Sequence, residues 1–175
     1  MDLVELLNNA IKQKEDVVEK LVSILRATDD FYEGNQIALV LVDHFRDESI
    51  ENCLVDLIKD PKWKMCNGTL LYALGEYTND SKYLYFLIDL ILKNEKDKDG
   101  EIFMSAYSMI INLHPPLDRK ELTRSIRKVK RDAQKRNITI EQKKLINSLL
   151  NFLEGQREIT KFYDRFSPSS SSRSA

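Results

Sequence analysis

The chain has 175 residues, 42% of them apolar and 31% charged, with a net charge of -1. That is the balance of a soluble globular protein long enough for one real core. Its 5 glycines and 4 prolines offer little turn chemistry for many short strands, which counts against an all-β fold. No segment reaches the roughly 18 uninterrupted apolar residues of a membrane span. The start, "MDLVELLNN", lacks the basic and then apolar regions of a secretory signal. A cytoplasmic protein is expected.

Apolar residues recur at helical spacing from end to end. In chain order the predicted helices are Leu3 to Ile11, Asp16 to Ala27, Tyr32 to Phe45 and, after the turn "RDES", Ser49 to Lys59. Asp60-Pro61 then reads as N-cap and first helical residue of a helix to Tyr77, interrupted at Asn67-Gly68. After the turn "TND" follow Ser81 to Lys93 and, past the polar loop "NEKDKDG", Glu101 to Leu113. "HPPLD" stops that helix, because neither proline can continue it. Arg119 to Lys135 and Ile140 to Leu153 complete the series, the last as a cap. The tail "SPSSSSRSA" is low-complexity serine and is expected to be disordered.

The chain repeats itself. "LVSIL" at Leu21, "LVDLI" at Leu54 and "LIDLI" at Leu87 stand 33 residues apart both times. "IALVLVDHFRDES" (Ile37 to Ser49) lies over "LLYALGEYTNDSK" (Leu70 to Lys82) at the same offset, and Ala106 follows Ala73 by 33. Each unit reads as helix, short polar turn, helix. A helix pair cannot bury its apolar face alone, but stacked pairs can. The expected fold is therefore all-α: a right-handed α-solenoid of about four stacked antiparallel helix pairs with a C-terminal capping helix. One domain is expected over residues 1–166, with the tail at 167–175.

The stretch "YALGEYTNDSKYLYFLIDLI" and its echo one unit earlier resemble the HEAT-repeat family, including its short bacterial variants, over roughly residues 13–135. The tetratricopeptide signature is absent. The resemblance implies a scaffold and leaves the function to the surface.

Little chemistry is visible. There is no G-x-x-x-x-G-K-[ST], no G-x-G-x-x-G and no H-E-x-x-H. His44 and His114 stand at helix ends, where positive charge is favourable. Cys53 lies on an apolar helix face and Cys66 opens the next helix. They form no C-x-x-C pair and read as buried or incidental thiols. With the histidines in different units, a zinc site has little to draw on. Asp29-Asp30 and Asp47-Glu48 fall in turns, where acids cap helices. No catalytic residue, cofactor or metal is expected, and no small-molecule substrate.

The charge is uneven. Residues 1–118 hold 12 Lys+Arg and 22 Asp+Glu, whereas residues 119–175 hold 15 and 6. In a solenoid the second helices line the concave face. The repeat register puts Ser23, Asp56, Asp89 and Arg127 in one outward column and Glu19, Asn52, Tyr85 and Thr123 in the column one turn earlier. The expected partner surface is thus Glu19, Asn52, Asp56, Tyr85, Asp89 and Arg127: an acidic groove, basic at one end, with Tyr85 as an aromatic anchor. Trp63, the sole tryptophan, is core or a second anchor.

"WKMCNGTLLYAL" (Trp63 to Leu74) and the Glu101 to Ala106 spacing resemble small HEAT-like immunity proteins encoded beside bacterial polymorphic toxins. This implies a non-enzymatic protein that binds and neutralises a toxin 1:1. An acidic surface would steer association with a basic nuclease. The alternative is nucleic-acid binding through the basic helices at 119–136, which hold nine basic and two acidic residues and would grip phosphates.

Overall fold

The computed structural model describes residues 16–64, 66–93, 100–135 and 139–166, without the side chains of residues 141 and 142. Among them are eight α-helices and no strand. They are α1 (Val17–Ala27), α2 (Phe31–His44), α3 (Glu48–Lys59), α4 (Gly68–Tyr77), α5 (Leu84–Lys93), α6 (Glu101–Ile111), α7 (Arg119–Ala133) and α8 (Ile140–Phe166). The all-α expectation is borne out. The first predicted helix, Leu3 to Ile11, and the serine tail lie outside the described residues. The chain forms two compact units, residues 1–78 and 79–175, with the boundary in the "TND" turn.

Aspartate starts half of these helices. Asp16 accepts hydrogen bonds from the Val18 and Glu19 amides, Asp30 from Tyr32 and Glu33, Asp47 from Ser49, and Asp118 from Glu121. Each satisfies amides that the first turn leaves without an intrahelical partner. The acid pairs at Asp29-Asp30 and Asp47-Glu48 therefore do structural work through Asp30 and Asp47.

In the first unit, α1 packs on α2 and α3, and α4 packs on α2 and α3. Each helix thus meets both its neighbour and the helix after that. The repeated positions form the contact: Leu21 and Leu54 are fully buried, with Leu25 and Ile58 beside them. Burying each such side chain contributes about 1.5–3 kcal/mol. The helix expected from Pro61 to Tyr77 is in two pieces. A 3₁₀ turn, Pro61–Trp63, is capped by Asp60, and α4 starts at Gly68. Between them Asn67 is buried and its amide donates to the Ile58 carbonyl at 3.4 Å, so the break is anchored to the end of α3.

Trp63 is core. It is buried edge-on against Phe31, ring centroids 5.0 Å apart, and its indole lies over Gly34. A Cβ on Gly34 would stand 2.3 Å from the indole Cη2.

In the second unit, α5 packs on α6 and α7, and α7 on α8. Leu87, Ile88 and Ile91 of α5 are buried, with Ala106, Met109 and Ile110 of α6 and Leu122, Ile126 and Val129 of α7. The capping helix α8 is longer than expected: it runs on past Leu153 to Phe166, 27 residues in all. Ion pairs three residues apart sustain the extension, Arg157 with Glu154 at 2.5 Å and Lys161 with Glu158 at 2.8 Å. Arg119 also pairs with Asp164, tying the extension to α7. No helix among the described residues is long and apolar enough to cross a membrane.

Candidate partner-binding surfaces

The six expected surface residues fall into two groups, one on each unit. On the first, α1 and α3 lie side by side. Glu19 and Ser23 on α1 and Asn52 and Asp56 on α3 are all exposed. Arg26 of α1 donates to the Asp56 carboxylate at 3.1 Å across the two helices. Both side chains of this pair are about half exposed, so the pair is worth well under about 1 kcal/mol. Asp56 can exchange Arg26 for a partner's cation at little cost. Residues 16–78 carry twelve acidic and six basic side chains, so this unit is acidic throughout.

On the second unit, α5 and α7 make the equivalent pair and bring Tyr85, Asp89 and Arg127 together. Asp89 is engaged within the chain. Its carboxylate lies between Lys93 at 2.6 Å and Lys128 of α7 at 2.9 Å, with 22% of its side chain exposed. Burial works to raise the Asp89 pKa, but the hydrogen bonds and charges of the two lysines outweigh it and hold the carboxyl below its ordinary value. Lys128 is buried further, at 12% exposure, and also lies 3.8 Å from Asp132. Burial works to lower its pKa, and the bond to Asp89 with the charges of Asp89 and Asp132 raises it instead. In each unit the middle aspartate of the echo meets a cation of another second helix, from the preceding one for Asp56 (Arg26) and from the following one for Asp89 (Lys128), so the shared register does not fix the side from which the cation comes.

Tyr85 is half-buried, and the Arg124 guanidinium lies over its ring, 4.3 Å from the centroid. Arg124 also donates to Glu121 at 2.8 Å. Tyr85 with Arg124, Arg127, Lys128 and Arg131 lines an open hollow of about 180 Å³. The sequence reading named only Tyr85 and Arg127 of these five. The signal for the rest was present: residues 124, 127, 128 and 131 recur at the three- and four-residue steps that share one helix face.

Cys53 is buried, which pushes its thiol up to about 11 and leaves it protonated and unreactive near neutral pH. His44 is the last residue of α2. His114 is hydrogen-bonded to the Asn79 side chain. Among the described residues, no three of His, Cys, Asp and Glu gather where they could hold a metal ion.

No protein-family model, curated protein or solved structure matches the chain.

Proposed function

We propose that the chain is a non-enzymatic protein-binding module of the α-solenoid kind, working in the cytoplasm. In its sharpest form it is an immunity protein that neutralises a basic toxin domain in a 1:1 complex. One observation carries the reading. Neighbouring second helices α1 and α3 bury the repeated leucines completely and leave Glu19, Ser23, Asn52 and Asp56 facing solvent as one polar surface. In this reading the buried positions of the repeat are scaffold and the exposed ones meet the partner, the division that a stacked-helix binding module requires. The acidity of the first unit suits a basic partner, because complementary charge speeds encounter more than it deepens affinity.

The acidic contact is confined to the first unit in this reading, since Asp89 is committed to Lys93 and Lys128. The test is co-purification of the full chain with the product of the adjacent gene, followed by light scattering. A stable 1:1 complex supports the reading. A product that elutes separately at micromolar concentrations of both proteins rejects its toxin-neutralising form.

A further inference from the structure

The hollow on the second unit has a charge pattern that the scaffold itself does not use up. Four cations from α7 and one aromatic ring from α5 line it. Two of the cations are committed. Lys128 sits at ion-pair distance from Asp89 and Asp132, and Arg124 is held between Glu121 and the Tyr85 ring. The other two, Arg127 and Arg131, stand one helical turn apart, exposed, with no carboxylate at ion-pair distance among the described residues. Arg131 is also close enough to Lys128 for its charge to disfavour the ammonium. Like charges gathered this way repel unless an anion joins them.

We propose that this hollow binds a phosphate-class polyanion, with Arg127 and Arg131 as the primary ligands and Arg124 and Lys128 as the preset flank. The planar fork of arginine matches phosphate oxygens two at a time. Stacking on Tyr85 and the bond to Glu121 hold Arg124 in place before anything binds, which lowers the ordering cost of association. The Tyr85 face toward Arg124 is already covered, so recognition runs through phosphate oxygens and not through base stacking. The phosphates can belong to a free di- or triphosphate or to a nucleic-acid backbone; the chemistry is shared. This inference does not depend on the acidic surface of α1 and α3, and it holds or fails apart from it.

The experiment is calorimetric titration of the full chain at low ionic strength, with pyrophosphate in one arm and single-stranded oligonucleotide in the other. Saturable 1:1 binding of pyrophosphate is expected, weakened at least about tenfold in Arg127→Gln/Arg131→Gln. Both arginines are exposed, and a far-UV spectrum checks that the variant is folded. Lys143→Gln/Lys144→Gln, two exposed cations of α8, should leave binding unchanged. If the oligonucleotide binds at least tenfold more tightly than pyrophosphate and weakens steeply with salt, the phosphates are those of a nucleic-acid backbone. Equal affinities point to a small phosphate ligand. Absence of saturable binding in both arms overturns the proposal, as does a double variant that binds like the unsubstituted chain.

Discussion

The contact between Gly34 and Trp63 shows how tightly single residues are specified. Only a hydrogen at residue 34 fits beneath the indole, because a Cβ there would meet Cη2 at 2.3 Å and the Thr28 methyl at 3.3 Å. Gly34→Ala must therefore push out the largest side chain of the first unit. A loss of about 1–3 kcal/mol is expected in denaturant unfolding, with a change in Trp63 fluorescence. The sequence left Trp63 open between core and anchor. A lone tryptophan after Asp-Pro has no periodic context, and the glycine that receives it is 29 residues earlier. The pairing of Asp89 was not legible for a related reason. The register says which way a side chain leaves its own helix, but not which cation of another helix waits there. Asp89→Asn leaves Lys128 with Asp132 at 3.8 Å as its remaining carboxylate and should cost about 1–3 kcal/mol near neutral pH. The pH dependence follows from the two shifts. The folded pKa of Asp89 is depressed, so its contribution is present above the ordinary carboxylate value and is lost as pH falls through the folded one. The folded pKa of Lys128 is raised, so its contribution is full below the ordinary lysine value and is lost as pH rises beyond it. Stability measured from pH 2 to 11 should fall at both ends, and Asp89→Asn should flatten the acid limb. An acid limb as steep as that of the unsubstituted chain would contradict the assignment.

At the scale of the element, the five-residue echo divides its labour by position. Leu54 is fully buried between helices, and two residues later Asp56 is exposed and loosely paired. Leu54→Ala should cost about 3–5 kcal/mol through lost burial and the cavity left behind. Asp56→Ala should cost less than about 1 kcal/mol. Chemical denaturation of the two variants measures the ratio directly, and similar losses would mean that the echo does not sort scaffold from surface. Most helix starts were legible, because aspartates such as Asp30 and Asp118 followed by apolar spacing are a local signal. The C-terminal extension of α8 was not. Beyond Leu153 its turns are sustained by ion pairs and by Arg119 reaching Asp164, and the apolar residues spaced along it, Ile159, Phe162, Tyr163 and Phe166, are exposed and do not mark a core face. The break at Asn67 was half legible: the Asn67-Gly68 pair marked the place, but the 3₁₀ turn before it depends on Trp63 being drawn inward.

At the scale of the molecule, the sign of the charge separates the two units. The first is acidic and displays Glu19 and Asp56. The second carries the arginines of α7 and ties Asp89 inward. The composition shift at residue 119 was plain in the sequence, and it told where the basic helix would be. It did not tell that four of its cations converge on Tyr85, because that needs the packing of α5 against α7. In the proposed binding module the acidic surface of α1 and α3 governs how fast a basic partner arrives. The most direct test is the association rate of the full chain with the adjacent-gene product, for the unsubstituted protein and for Glu19→Lys/Asp56→Lys. Both positions are exposed, so the variant should fold normally. The account predicts an association rate reduced about tenfold or more at low salt, with the difference shrinking as salt screens it. An unchanged association rate across that salt series would contradict the acidic surface as the site of contact.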